Sequence, residues 1–295
     1  MPDHKLITGD CLEVMRGMES NSVDLVFTSP PYEDARTYGI DFKAKGDAWV
    51  DWCVPRIMEC LRVSKGLVAW VVEGRTRNYR YSNAPMRLAV AVENAGGVPR
   101  KPPVYNRVGI PGSGGPDWLR NDYEFVLCWT REAGKLPWSD NVAMGHEPKW
   151  TPGGIPSHRL PSGRRANKLS WEEKVQLGAE EHTKRSAKKL GKQVYLPPQR
   201  ANPGNVIRCK VGGGLLGSKI AHENEAPFPE SLAEFFIRSF CPEGGTVLDP
   251  HGGSGTVAAV CERLGRNSIS IDIRASQTEL QKRRIEEAKS KIEAA

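Results

Sequence analysis

Short apolar runs that alternate with amphipathic segments occupy both ends of this 295-residue sequence. The runs are typical of buried strands, and the segments between them have apolar residues at helical spacing. Strands that alternate with helices predict a doubly wound, mostly parallel α/β sheet. The predicted strands are 5–9, 22–28, 66–74, 122–130, 244–250 and 267–273, and the predicted helices are 11–18, which Asp10 caps, 49–63, 82–97, 229–241, 256–265 and 275–292.

This alternation stops in the middle of the chain, where Gly, Pro, Ser and basic residues dominate and one helix is predicted near 170–182. Between Thr151 and Lys210, 13 Lys and Arg residues against four acidic residues give +9, so the rest of the chain carries −2 of the net +7. Clustered cations beside Trp171 and Tyr195 favour a surface that binds a polyanion over a merely solvated loop. We therefore expect three parts: residues 1–139, an irregular basic insert at 140–225, and residues 226–295.

Composition narrows the class of protein further. The seven cysteines are scattered and never form C-x-x-C, which predicts reduced thiols in a cytoplasm and no zinc site. The six histidines are equally dispersed, so we expect no metal. No apolar run reaches 18 residues and the N-terminus lacks a signal-peptide core, so no membrane contact is expected.

The strand at 22–28 ends in Thr28-Ser29-Pro30-Pro31-Tyr32. Two prolines fix two φ angles and remove two N–H donors, and each keeps the residue before it out of the helical region. The result is a stiff, extended tip whose backbone carbonyls are expected to lack intrachain partners, so that it can present them and an aromatic ring to a ligand. A simple strand-ending turn is the alternative interpretation of these residues alone.

A glycine-rich loop, Asp249 to Thr256, joins the strand at 244–250 to the helix at 256–265. Its glycines allow backbone to approach a ligand, and the helix N-terminus offers free N–H donors. Asp272 ends the next strand and is placed to bind ribose hydroxyls. The pattern G-x-x-x-x-G-K-[ST] is absent, so the loop predicts a nucleoside-containing ligand but not a nucleoside triphosphate in a P-loop.

Together these motifs resemble those of the amino-group DNA methyltransferases, which bind S-adenosylmethionine. Asp249-Pro250-His251-Gly252-Gly253-Ser254-Gly255-Thr256 is similar to their D-P-F-x-G-S-G-T motif, and TSPPY is similar to their catalytic motif. The order, with the catalytic motif first, resembles the permuted β-class. GDCLEVM (9–15) and NEAPFPESLAEFFI (224–237) resemble two further cofactor segments, whereas the middle of the chain has no counterpart.

The resemblance implies a permuted methyltransferase fold, S-adenosyl-L-methionine as cofactor, double-stranded DNA as partner and a bacterial or phage origin. It implies that Ser29, Pro30, Pro31 and Tyr32 are catalytic. The implied cofactor residues are Asp10, Cys11, Thr28, Phe228, Pro229, Asp249, Pro250, His251, Gly252, Gly253, Ser254, Gly255, Thr256 and Asp272. The insert takes the place of target recognition, with Arg164, Arg165, Lys184, Arg185, Lys188 and Lys189 expected to bind DNA. Whether a restriction endonuclease accompanies the chain, and whether it is a monomer or a homodimer, stays open.

The chemistry of an exocyclic amine explains these residue types. The amine is a poor nucleophile, because its lone pair is delocalised into the base. Two acceptors, the Ser29 hydroxyl and the Pro30 carbonyl, favour a pyramidal nitrogen, and Tyr32 can stack on a base flipped out of the duplex. Methylation of cytosine carbon 5 needs a nucleophilic cysteine, which the enzymes of that family carry in a Pro-Cys pair. This reaction is disfavoured, because the sequence has no Pro-Cys dipeptide.

The resemblance implies serine at position 29 for most cytosine-N4 enzymes and Asp or Asn for most adenine-N6 enzymes. Ser29 therefore favours the N4 amine of cytosine, and the N6 amine of adenine is the alternative. His251 stands where the family has phenylalanine, so we expect retuned or weaker cofactor affinity. An alternative that is not an enzyme is a catalytically impaired homologue, which keeps the fold and binds DNA but no longer transfers a methyl group. Methylation of a protein or RNA is disfavoured, because related enzymes of that kind carry the cofactor motif first.

Overall fold

The computed structural model describes residues 2–34, 42–110, 114–147, 200–211 and 216–294. The chain divides into two compact units, one of residues 1–140 with 204–295 and one of residues 141–203. In the second unit, His146 and Ala201 form an isolated antiparallel bridge. The helix predicted at 170–182 and the six basic residues Arg164, Arg165, Lys184, Arg185, Lys188 and Lys189 lie outside the described residues.

The first unit contains a nine-stranded sheet and a small two-stranded hairpin within its described residues. Its strands are β1 (His4–Thr8), β2 (Val23–Thr28), β3 (Ser64–Val72), β4 (Thr76–Arg77), β5 (Arg80–Tyr81), β6 (Val98–Arg100), β7 (Val104–Val108), β8 (Tyr123–Thr130), β9 (Val206–Lys210), β10 (Thr246–Asp249) and β11 (Asn267–Asp272). Its helices are α1 (Cys11–Arg16), α2 (Asp47–Val63), α3 (Ala84–Asn94), α4 (Glu230–Phe240), α5 (Thr256–Leu264) and α6 (Ala275–Glu293), with a 3-10 turn at Ile220–Glu223.

The strand order is β1-β11-β10-β2-β3-β8-β7-β9, with β6 also paired to β8, and β4 and β5 form the separate hairpin. The first five strands are parallel, whereas β8 is antiparallel to β3. This arrangement confirms the mostly parallel, doubly wound sheet. Two C-terminal strands, β10 and β11, lie between the N-terminal strands β1 and β2, so the two motif-bearing parts of the sequence meet in one sheet.

Hydrophobic cores cover both faces of this sheet, because successive side chains of β3 point in opposite directions. Val68 and Trp70 pack in a core with Trp49 of α2 on one face. Leu67 and Ala69 pack in a core with Phe236 of α4 on the other face. Burial on both faces explains why the strand is a nearly continuous apolar run and not an alternating one.

The predicted elements that fall within the described residues are present, with ends displaced by a few residues. Asp10 caps α1 as predicted, accepting hydrogen bonds from the amides of Leu12 and Glu13. Strands β4, β5, β6 and β7 were not predicted. Residues 206–210 form β9, which pairs in parallel with β7, so this part of the expected insert at 140–225 belongs to the sheet-bearing unit.

Three of the sequence expectations concern the cysteines, metal sites and membrane-spanning helices. All seven cysteines are free and buried. Within the described ranges, no cluster of three or more His, Cys, Asp or Glu residues could hold a metal ion. No helix in the same ranges is long and apolar enough to cross a membrane.

The pairing of β2 with β3 contains a bulge that depends on Gly66. Val23 pairs with Ser64 and Leu25 pairs with Leu67, so Lys65 and Gly66 together face the one residue Asp24. A Cβ atom on Gly66 would lie 2.1 Å from the Asp24 carbonyl oxygen. Backbone at this position cannot yield easily, because both strands are central in the sheet.

Gly66→Ala should therefore destabilise the protein by about 1–3 kcal/mol, the usual cost of overpacking a core. The measurement is the free energy of unfolding in urea. Gly115→Ala is a matched control, because the nearest atom to its added Cβ is 3.9 Å away. Equal stability of the two variants would contradict the packing argument.

Candidate functional site

A cavity of about 560 Å³ lies at the carboxyl ends of the parallel strands. The chain leaves β10 toward β11 and leaves β2 toward β3, so its connections diverge between β10 and β2. Such a switch point is where open α/β sheets bind ligands. The volume is within the range of small-molecule sites.

The cavity brings most of the predicted site residues together. Those that line it are Asp10, Cys11, Ser29, Pro30, Pro31, Tyr32, Phe228, Pro250, His251, Gly252, Gly253, Ser254, Thr256 and Asp272. Thr28, Pro229, Asp249 and Gly255 are not among the lining residues. Thr28 and Asp249 instead connect the proline tip to the glycine loop beneath the cavity.

Thr28 and Asp249 join the ends of β2 and β10 through a buried hydrogen bond. The Thr28 hydroxyl donates to Asp249 Oδ1 at 2.6 Å, and the backbone N–H of His251 donates to the same oxygen at 3.2 Å. Burial raises the pKa of Asp249 to about 7, although these two hydrogen bonds oppose the rise. The contact fixes the proline tip relative to the glycine loop.

His251 is a neutral aromatic surface in this site. Its Nδ1 lies 3.3 Å from the Thr28 hydroxyl and its Nε2 lies 3.6 Å from Cys11 Sγ. The ring meets Trp70 edge-on at 5.2 Å and Trp52 at 5.8 Å between centroids. Burial, with Arg56 nearby, lowers the pKa of His251 to about 3, so the imidazole is uncharged near neutral pH.

The glycine loop packs against the last helix. A Cβ atom on Gly252 would lie 2.2 Å from Ser270 Oγ, and one on Gly255, whose φ is +76°, would lie 2.9 Å from the Cα of Gln281 in α6. These two glycines therefore have a packing role that the sequence did not reveal. Thr256, at the start of α5, lines the cavity, where the first N–H groups of a helix lack intrahelical partners.

Asp272 stabilises the same loop from the end of β11. Its Oδ2 accepts the Gly253 N–H and its Oδ1 accepts the Arg274 N–H, both at 2.9 Å. Burial raises the pKa of Asp272 more than these backbone hydrogen bonds lower it. Each carboxylate oxygen has two lone pairs, so both can accept a further hydrogen bond from a ligand.

Asp10 stands across the cavity at the start of α1. Its Oδ2 accepts a 2.8 Å hydrogen bond from Arg56, whose guanidinium lies 4.0 Å from the ring centre of Trp52. Burial raises the pKa of Asp10, but Arg56 and the amides of α1 outweigh it and hold that pKa below its usual value. The carboxylate is therefore ionised beside an aromatic wall.

The carbonyl and hydroxyl groups of the proline tip differ in their hydrogen bonding. Pro31 accepts a 2.9 Å hydrogen bond from the Trp49 indole N–H, so this carbonyl does have an intrachain partner, contrary to the expectation of unpaired carbonyls. The Pro30 carbonyl accepts no hydrogen bond from the described residues. Ser29 Oγ lies 3.3 Å from both the Val71 carbonyl and the Tyr32 hydroxyl.

Arg107 on β7 and Glu124 on β8 line the cavity beside the proline tip. The sequence analysis did not predict either residue as part of the site. The Tyr32 hydroxyl donates to Glu124 Oε2 at 2.8 Å, and Arg107 forms an ion pair with Glu124 Oε1 at 3.0 Å. Burial raises the pKa of Glu124, and Arg107 and Tyr32 oppose that rise. The one sequence signal that could have indicated Glu124 is its position as a charged residue inside the apolar run DYEFVLCWT.

The doubly wound sheet with its cavity at the switch point is the fold of the S-adenosylmethionine-dependent methyltransferases. A family model described as DNA methylase, for N6 and N4 amino-methyltransferases, matches residues 23–283. The chain therefore belongs to this family of DNA methylases, as its motifs indicated.

Individual relatives agree with this assignment. The orphan methyltransferase M.BamHII of Bacillus amyloliquefaciens is 28% identical over 256 residues, covering 85% of this chain and 84% of the relative. The DNA adenine methyltransferase YhdJ of Escherichia coli (strain K12) is 24% identical over 288 residues, covering 96% and 83%.

Solved structures share the fold. The PvuII cytosine-N4-specific DNA methyltransferase has a TM-score of 0.65 at 17% identity, covering 98% of this chain and 91% of that one. A DNA modification methylase of Thermus thermophilus, solved with S-adenosyl-L-methionine, has a TM-score of 0.57 at 22% identity, covering 97% and 94%.

S-adenosyl-L-methionine is the cofactor of this family, and the lining residues fit it. His251, Trp52 and Phe228 offer aromatic surface to a purine. Asp10 and Asp272 offer carboxylates to hydroxyl or ammonium groups. Glu225, which the sequence analysis did not assign, adds another carboxylate, held by Arg274 at 2.9 Å.

His251→Phe should make the fold less sensitive to acid. The pKa of His251 is about 3 in the folded chain and about 6.5 when unfolded, so below pH 6.5 the unfolded chain takes up the proton first. The contribution of the neutral ring to the free energy of unfolding is fully present above pH 6.5 and is lost as pH falls toward 3. Between pH 6 and 4, wild type should lose up to about 1.4 kcal/mol per pH unit more than the variant.

Urea unfolding at several pH values measures this difference. Asp249 acts in the opposite direction, because its raised pKa means that its contribution is lost as pH rises toward 7, but it is present in both proteins. His222→Phe, at an exposed position, is the control. Equal pH slopes for wild type and His251→Phe would show that the ring is not held neutral.

Asp272→Ala should weaken S-adenosylmethionine binding by about 10- to 100-fold, the effect of losing hydrogen bonds to a charged group. The carboxylate supports the Gly253 amide and faces the cavity. Isothermal titration calorimetry gives the affinity. Asp51→Ala, which removes an exposed carboxylate on α2, should leave it unchanged. Wild-type affinity in folded Asp272→Ala would remove this residue from the cofactor site.

Proposed function

We propose that this chain transfers the methyl group of S-adenosyl-L-methionine to the exocyclic N4 of cytosine in a base flipped out of double-stranded DNA. The observation that carries the proposal is the wall made by Ser29, Pro30 and Tyr32 beside the cofactor loop. It combines two hydrogen-bond acceptors with an aromatic ring in one cavity.

Ser29 and Pro30 supply the acceptors. When the Ser29 hydroxyl donates to the Val71 carbonyl, 3.3 Å away, its lone pairs are left for an amine N–H. The Pro30 carbonyl, which the proline rings hold rigidly, accepts the other N–H. Together they localise the nitrogen lone pair, and S-adenosylmethionine supplies the electrophilic methyl group. The contribution of these residues is preorganised electrostatics and positioning.

Tyr32 supplies the stacking surface for the flipped base. Its hydroxyl is held by Glu124, which Arg107 holds in turn. An aromatic ring with a fixed plane loses little conformational freedom when a base stacks on it. That stacking offsets part of the few kcal/mol needed to take the base out of the duplex.

Two observations bear on the target base. Ser29 favours cytosine, and the PvuII enzyme of similar fold is described as cytosine-N4-specific. The Escherichia coli relative is named as a DNA adenine methyltransferase, which supports N6-adenine as the second candidate. Both bases present the same kind of amine, so the same acceptors serve either reaction.

The proposal assigns target recognition to the insert at 140–225, with Arg164, Arg165, Lys184, Arg185, Lys188 and Lys189 binding DNA. Its support is the +9 charge of residues 151–210. The chain would act in the cytoplasm of a bacterium, either alone or beside a restriction endonuclease and as a monomer or homodimer.

Nucleoside mass spectrometry tests the proposal. Purified protein is incubated with DNA and isotope-labelled S-adenosylmethionine, and the expected product is labelled N4-methylcytosine. Labelled N6-methyladenine would establish the second candidate. No labelled nucleoside from a folded, cofactor-bound protein would favour a DNA-binding homologue without transferase activity.

Ser29→Ala should lower kcat by about 100-fold or more, because one preorganised acceptor is lost. Tyr32→Ala should have a similar effect through lost stacking, whereas Tyr32→Phe keeps the ring and should retain more activity. Cofactor affinity should stay within severalfold in all three. Ser139→Ala, at an exposed position, is the control. Normal turnover in both alanine variants would exclude these residues from catalysis.

A further inference from the structure

A second cavity, of about 510 Å³, is lined in part by the residues that follow the proline tip. Tyr32 lines the first cavity, whereas the next two residues, Glu33 and Asp34, line the second. The remaining wall includes residues after β3, so both cavities are at the carboxyl ends of the strands. One short stretch of chain therefore serves both.

Cations outnumber acids around this second cavity. We call its five basic residues, Lys45, Arg75, Arg77, Arg80 and Arg87, the basic pocket. They face the two lining acids Glu33 and Asp34, which leaves an excess of three positive charges. Such a concentration of one sign in a cleft attracts anions.

The acids present are already committed. Asp34 forms ion pairs with Arg75 at 3.1 Å and with Arg77 at 3.0 Å. Glu33 is buried and accepts the Gly46 N–H at 3.0 Å.

The remaining cations differ in their pairing. Arg87 forms an ion pair with Asp47, whose exposed side chain does not line the second cavity. Lys45 and Arg80 form no ion pair with any described residue. Their charges therefore remain available to an external anion.

The hairpin of β4 and β5 adds an exposed aromatic residue between the lining residues Arg77 and Arg80. Its two turn residues, Asn78 and Tyr79, have φ values of +48° and +62°. Two-residue hairpin turns with both φ values positive favour Asn-Gly, because a bulky side chain is unfavourable in that conformation. Tyr79 is nevertheless there, and it is 80% exposed. Folding alone does not explain a tyrosine at this position.

We propose that the basic pocket and Tyr79 form a clamp for the DNA backbone next to the flipped base. The pocket binds phosphodiester groups, and Tyr79 packs against the adjoining sugar or base. Side chains that contact phosphates fix the register of a protein on a duplex. The inference rests on the proposed function, since it places this DNA beside the Ser29–Tyr32 wall.

The test uses the double variant Lys45→Gln/Arg80→Gln in the full chain, because these two lining cations form no ion pair with any described residue. Binding to a fluorescent duplex is followed by anisotropy between 50 and 200 mM salt. The dissociation constant should rise about 10-fold, and the slope of log K against log salt should become shallower by about 1.8, the value for two phosphate contacts. Arg131→Gln/Lys135→Gln removes the same charge from exposed residues that follow β8, and it should change neither quantity.

Tyr79→Gly separates recognition from folding. Glycine suits the turn better, so the melting temperature should stay the same or rise, while the dissociation constant for DNA rises severalfold. Cofactor affinity should equal that of wild type in every variant, because the basic pocket shares no lining residue with the first cavity.

The outcomes for the clamp and for the methyltransferase reaction are distinguishable. If wild type methylates DNA and both sets of variants bind DNA as wild type does, with the same salt slope, the clamp is wrong and the proposed function stands. If wild type forms no methylated nucleoside but the variants lose DNA affinity as expected, the clamp stands and the proposed function fails.

Discussion

The site depends on the parallel pairing of β10 with β2 and on the buried hydrogen bond between Thr28 and Asp249 at its end. This pairing places the proline tip and the glycine loop side by side, although more than 200 residues separate them in the sequence. Each loop is shaped by its own residues, but neither forms the cavity alone. A threonine and a largely desolvated carboxyl thus define the distance between the two halves.

Below the cavity, the electrostatics favour neutral groups. His251 is kept uncharged by burial and by Arg56, and the pKa of Asp249 is raised to about 7 by burial. The carboxyl groups of Asp10 and Asp272 face the cavity, and Arg56 with the amides of α1 holds the pKa of Asp10 below its usual value. A neutral aromatic floor with acidic walls suits a ligand that combines a purine with hydroxyl and ammonium groups. In this setting His251 resembles the phenylalanine that it replaces in the family motif.

The sequence allowed prediction of those parts whose signals are local. The strands of the parallel sheet, the Asp10 cap and both loops follow from apolar runs, prolines and glycines close together in the chain. Glu124 and Arg107 could not be predicted as a pair, because they meet only when β7 and β8 align as antiparallel strands. The short strands β6 and β7 lack long apolar runs, and the edge strand β9 was placed in the insert because its position depends on pairing with β7.

The position of β10 and β11 inside the sheet has a consequence for the order of folding. His4 pairs with Ser268 and Leu25 pairs with Val247, so these contacts between neighbouring parallel strands join residues that are very far apart in sequence. Such contacts slow folding, because long loops must close before they form. During synthesis the ribosome must finish β10 before β2 acquires one of its two neighbours, so the N-terminal strands wait with an unprotected edge for most of translation.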